Sequence, residues 1–253
     1  MRQSRTRRAV LTLAAGGLVA GAGFGMTAAR LGQDARRMPD LTDAHLRALS
    51  RLPPSQTRVL IIGNSATIGA GFLDHLKQKF RGTETDCVRA SAHGARLVQS
   101  WRIAALRRLV RSVAWRAVVL QDFSSTPLRS ADRVGSLAAI AGFARLASPA
   151  PVVLFPHWPS GYGHPVYQGG LGAGYAVPDD PEDYASRAET HYSVAARITG
   201  ARLAPVLSDW IAALKQGDAL YSRDHHHANE AGAALAASSL FETLNSAPAH
   251  HRV

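Results

Sequence analysis

Five strand-length apolar runs punctuate the chain at Val59–Ile62, Cys87–Ala90, Ala117–Gln121, Val152–Phe155 and Leu203–Val206. Apolar residues recur at helical spacing over Ala66–Phe80, Leu97–Val113, Ser130–Leu146, Pro181–Thr199 and Asn229–Leu244. Short buried runs alternating with amphipathic helices predict βαβ units and a parallel sheet. Right-handed crossovers then put helices on both faces of that sheet. The expected fold class is α/β, a three-layer α/β/α arrangement around an open parallel sheet of about five strands.

The pattern also divides the chain. Residues 1–29 begin with a basic section, Met1 to Arg8, and continue with an uncharged apolar section from Ala9 to Ala29, the layout of an export signal. Arg7-Arg8 ahead of a mild Gly- and Ala-rich core resembles a twin-arginine (Tat) signal, with small residues at Thr27, Ala28 and Ala29 for cleavage. The expected location is periplasmic or secreted. The alternative is an uncleaved anchor facing the periplasm, because Ala9–Ala29 just reaches spanning length. Residues 30–56 read as a linker with a packing helix from Leu41 to Leu52, ended by Pro53-Pro54. The main domain is expected over 57–246, with a tail at 247–253. Pro156 to Pro178, crowded with Gly, Pro, Tyr and His, has no period and follows a strand, so it reads as a long loop walling a site.

Composition narrows the function classes. An apolar fraction of 46% suits a globular core, and an aromatic fraction of only 7% leaves few stacking platforms for nucleic acid. The formal charge of +11 includes Arg2, Arg5, Arg7 and Arg8 of the leader. The remaining local cluster, Arg102, Arg107, Arg108, Arg111 and Arg116, reads as the solvated face of a helix, so no nucleic-acid partner is expected. The single cysteine, Cys87, allows no internal disulfide and reads as a buried small hydrophobe.

Candidate chemistry sits at the two ends of the domain. The run Val59 to Ile62 empties into Gly63-Asn64-Ser65, which puts Ser65 at a strand's carboxyl end and a helix N-terminus, where ligands and anions bind. Serine becomes nucleophilic only when a base takes its proton and an acid holds that base in the right tautomer. Asp224 and His227, three residues apart on a loop entering a helix, offer both. Asp122 and Asp209 are rival acids, Asp209 better suited to capping a helix that starts at Ser208-Asp209.

These residues resemble four spaced blocks of the SGNH, or GDSL-like, hydrolase superfamily over Thr57 to Leu244. The first block matches as Gly63-Asn64-Ser65, the second as Ser91 to Leu97, and the last as Asp224 and His227 followed by Gly232. The third departs: Leu120-Gln121-Asp122-Phe123-Ser124-Ser125 stands where the family has Gly-x-Asn-Asp, a version similar to a poorly characterised bacterial branch. The resemblance implies a flavodoxin-like sheet, Ser65 as nucleophile, His227 as base and Asp224 as its orienter. It further implies an oxyanion hole from the backbone N–H groups of Ser65 and Gly94. Gln121 can donate an amide N–H in place of the missing asparagine, with Ser124 as the other available donor. Asn64, Ser124, His157 and Trp158 are expected to shape the substrate pocket.

The implied activity is ester hydrolysis through an acyl-enzyme, on a small-molecule or saccharide ester. Transfer of the acyl group to a saccharide, or a binding protein that kept the fold, are the alternatives. No cofactor is expected, since Gly69-Ala70-Gly71 lacks the rest of a dinucleotide fingerprint. No metal is expected either: His225, His226 and His227 point apart as neighbours in a loop, even with His93, His157 and His164 available elsewhere.

Overall fold

The computed structural model describes residues 41–52 and 57–246. The expected leader, the rest of the linker and the tail lie outside the described residues. Helix α1 (Asp43–Ser50) is capped by Thr42, whose hydroxyl accepts from His45 N–H, and it buries Leu46 and Leu49 against the domain. No helix among the described residues is long and apolar enough to cross a membrane.

Five parallel strands form one sheet: β1 (Arg58–Gly63), β2 (Asp86–Ser91), β3 (Ala117–Leu120), β4 (Val152–Leu154) and β5 (Arg202–Leu203), in the order β2-β1-β3-β4-β5. Strand parity builds two cores. Leu60, Ile62, Val118, Leu120, Val152 and Leu154 face one layer, containing α4 (Leu97–Arg102), α5 (Ala104–Ser112), α6 (Ser130–Ala147) and α7 (Pro181–Thr199). Val59, Ile61, Ala117, Val119 and Val153 face the other, containing α3 (Phe72–Lys79), α8 (Val206–Lys215) and α9 (Glu230–Asn245). A strand buried on both faces favours apolar residues at successive positions, which is why β1 reads as an unbroken run from Val59 to Ile62.

The sheet changes winding direction between β1 and β3, and at such a switch point the loops after the two strands part to leave a crevice at the carboxyl edge. Three expected elements differ in detail. The helix expected over Ala66–Phe80 is two, α2 (Ser65–Ile68) and α3, because Ala70 and Gly71 adopt left-handed φ of 48° and 69°. The helix over Leu97–Val113 breaks at Ile103, whose extended ψ of 105° separates α4 from α5. The fifth strand ends at Leu203, and Val206 instead opens α8.

Candidate active site

Ser65 is the first residue of α2, and its position is set by its neighbour. Asn64 caps the helix: its side-chain oxygen accepts from Ala66 N–H at 3.1 Å, and its Nδ2 donates to the Asp122 carbonyl at 2.9 Å. Asn64 is 1% exposed, so it ties the turns after β1 and β3 together and offers substrate no surface. Its expected place in the substrate pocket gives way to that structural one.

The other half comes from the loop before α9. His225 takes a left-handed φ of 54°, and the carboxylate Oδ1 of Asp224 accepts from the N–H groups of His226 and His227 at 3.0 and 2.9 Å. Ser222 N–H donates to the His227 carbonyl at 2.8 Å and closes the loop. In this arrangement Asp224 Oδ2 lies 2.6 Å from His227 Nδ1, and His227 Nε2 lies 3.1 Å from Ser65 Oγ. A serine, an imidazole and a carboxylate separated by up to 162 residues thus form one hydrogen-bonded line. Partial burial raises the Asp224 carboxyl, but the bonds it accepts from the His227 ring and the two backbone N–H groups outweigh this and hold it well below the usual carboxylate range. It therefore stays ionised and fixes the proton of His227 on Nδ1, leaving Nε2 free to accept from Ser65.

The rival acids are occupied elsewhere. Asp122 is buried and accepts from Leu97 N–H at 2.9 Å and Phe123 N–H at 2.7 Å, so it caps α4. Asp209 lies in the first turn of α8, which starts at Val206 rather than at Ser208, and it accepts from Ser239 Oγ.

Gly94 stands in the turn after β2 with φ of 68°, beside the end of β1, since Ala92 N–H donates to the Gly63 carbonyl. Gln121 follows β3 at the same edge. Its Oε1 lies 3.1 Å from where a Cβ on Gly63 would be, and both amide atoms are sealed from solvent without a hydrogen-bond partner among the described residues. The side chain is 1% exposed, so it lies under the nucleophile's turn rather than beside an open face where a donor could meet substrate. Ser124 is half-buried in the wall of a cavity, and its carbonyl accepts from Tyr184 Oη at 2.7 Å.

His157 and Trp158, expected to shape the pocket, are 2% and 1% exposed and instead support it from beneath. Trp158 stacks on Trp210 with ring centroids 4.7 Å apart and donates its indole N–H to the His226 carbonyl at 2.9 Å. His157 stacks under the His226 ring at 4.8 Å, and His164 stacks on His226 at 5.2 Å. Burial first, then the neighbouring His226 ring, pushes His157 well below the ordinary histidine value.

Several supporting residues carried no signal in the sequence. Tyr221 takes the Trp210 indole N–H at 2.8 Å and donates to the Pro159 carbonyl at 2.9 Å, joining α8 to the long loop. Arg96 pairs with Asp132 and donates to Tyr175 Oη at 3.1 Å, which pins the far end of that loop. Neither role shows in a pattern because each partner is distant in sequence. Larger cavities, of about 520 and 460 Å³, lie at the amino ends of β3 and β4 and between α7 and α8, away from Ser65. Among the described residues, no cluster of three His, Cys, Asp or Glu could hold a metal ion.

Solved structures share this architecture. A Slackia heliotrinireducens protein described as a candidate SGNH hydrolase matches with a TM-score of 0.62 and 28% identity, over 75% of this chain and 99% of its own. The fold is that of an SGNH-like superfamily. A Streptococcus pneumonia structure described as a candidate platelet activating factor has the same fold, at a TM-score of 0.62 and 16% identity over 87% of this chain and 99% of its own. So does the periplasmic domain of a lipopolysaccharide acetyltransferase from Salmonella ser. Paratyphi A, at 0.56 and 10% over 90% and 99%. No family model and no curated protein matches the sequence. The SGNH-like fold is thus shared by hydrolases, esterases and an acetyltransferase domain.

Proposed function

We propose that the chain is an exported serine ester hydrolase acting on an acyl or acetyl ester, with Ser65 as nucleophile, His227 as base and acid in turn, and Asp224 as orienter. The observation that carries this reading is the continuous line from Ser65 Oγ to His227 Nε2, at 3.1 Å, and from His227 Nδ1 to an ionised Asp224, at 2.6 Å. His227 takes the hydroxyl proton as Ser65 Oγ attacks the ester carbonyl, and returns it to the leaving alkoxide as the tetrahedral intermediate collapses to an acyl-serine. Water, deprotonated by the same Nε2, then releases the acid. The oxyanion falls to the backbone N–H groups of Ser65, at the start of α2, and of Gly94.

Hydrolysis is favoured over transfer because the His227 and Asp224 side chains keep 44% and 50% of their surface exposed, so water has direct access to the base. Export rests on the basic, then apolar, composition of residues 1–29. A saccharide-borne ester is in keeping with that compartment.

The test is a generic ester and a fluorophosphonate probe. Ser65→Ala should remain folded, lose the label, and lose turnover by a factor on the order of 10⁴ or more. Hydrolysis by Ser65→Ala at the wild-type rate would refute the assignment.

A further inference from the structure

We infer that the cavity walled by Phe123 and by His226, the ring neighbour of the base His227, holds the acyl chain and limits it to about the length of butyrate, an inference that rests on the esterase reading above. The cavity, of about 120 Å³, lies between the segment after β3 and the long loop. One wall is Phe123 and Leu128, continuous with Asp122, whose carbonyl takes the side chain of the Ser65 cap. The other includes His226, whose ring stands edge-on to that of His227 with centroids 5.0 Å apart. The cavity thus adjoins the base through His226, and its Phe123 wall follows the turn that Asn64 ties to the start of the nucleophile's helix.

Its lining selects a neutral, apolar group. Phe123, Leu128, Val166 and Leu171 supply the apolar surface. Three of the polar atoms around them are already committed: His226 Nδ1 is bonded to Ser160 Oγ at 2.9 Å, His164 Nδ1 accepts from Val166 N–H at 3.2 Å, and Tyr184 Oη donates to the Ser124 carbonyl. Among the described residues no Lys, Arg, Asp or Glu lines the space, so a charged group finds no partner in it. Size completes the argument. An apolar cavity of roughly 150 Å³ admits benzene, so this one admits about five heavy atoms. A sugar ring does not fit and would lie on the open side of His227.

The test is the chain-length profile of p-nitrophenyl esters from acetate to decanoate, read as kcat/KM. Wild type should gain about fourfold per methylene up to butyrate, the worth of a buried methylene, and fall more than tenfold by octanoate. Leu171→Ala deepens the cavity from a half-buried loop position, and should raise the octanoate-to-butyrate ratio at least fivefold. Val166→Leu fills it and should lower the butyrate-to-acetate ratio by a similar factor. A Ser65-dependent esterase with a flat profile, or with the same profile in both variants, overturns the acyl pocket and leaves the esterase standing. Absence of both Ser65-dependent turnover and Ser65-dependent fluorophosphonate label overturns the esterase and the pocket with it.

Discussion

Acid should unfold this protein through its histidines before its carboxylates. His191 and His226 are both held down to about 4: burial dominates in each, followed by the Arg133 charge at His191 and by the His227 and His164 rings at His226. An unfolded histidine titrates near 6.5, so between pH 6.5 and 4 the unfolded chain binds more protons than the folded one, and stability falls as pH falls. At pH 5 a folded imidazole of this kind is only about a tenth protonated while the unfolded one is almost fully so, a cost of about 2 kcal/mol per residue relative to neutral pH. The pair therefore removes roughly 4 kcal/mol between pH 7 and 5. Asp122, pushed up by burial, opposes this, because its protonation favours the folded state, and the net loss is smaller. Asp224 contributes only at lower pH, since its stabilising charge is lost as pH falls below the usual carboxylate range. Urea midpoints at pH 7, 6 and 5 measure the effect. His191→Gln keeps a donor for Ser136 Oγ, 3.2 Å away, and should lose about 2 kcal/mol less than wild type over that range. Equal losses in the two proteins, or a wild-type midpoint unchanged from pH 7 to 5, would refute the reasoning.

Two further outcomes follow from close contacts. Gln121→Leu removes an amide that is buried without a partner, so stability should rise by about 1 kcal/mol and kcat should stay within a few-fold; a fall of ~10² or more at constant KM would make Gln121 an oxyanion donor instead. Gly232→Ala puts a Cβ against the Leu220 carbonyl and 2.7 Å from the Trp210 ring. Overpacking there should cost about 3 kcal/mol, seen as a lower Tm, and lower ester turnover by displacing the Asp224–His227 loop; an unchanged Tm would count against the packing argument.

Layer order is legible in the local pattern. Runs such as Val59–Ile62 can satisfy both cores only as strands buried on two faces, and the 3.6-residue spacing of 181–199 fixes one buried helix stripe, so α/β/α order follows from local pattern alone. Chemistry was legible where residues close in sequence share one turn, as with Asp224 and His227, and where Ser65 follows a strand directly. Tertiary structure alone decided which polar groups remain free to react. Asn64, Asp122 and Gln121 sit in motif positions that suggest a pocket residue, an acid for the histidine and an oxyanion donor, yet the crossing of the turns after β1 and β3 buries all three beneath the nucleophile. Likewise His226 becomes a cavity wall only because Trp158, 68 residues away, holds its carbonyl and His157 and His164 sandwich its ring. Local periodicity encodes burial along one element; accessibility at the junction of several depends on how their loops pack, and no single stretch of the chain carries it.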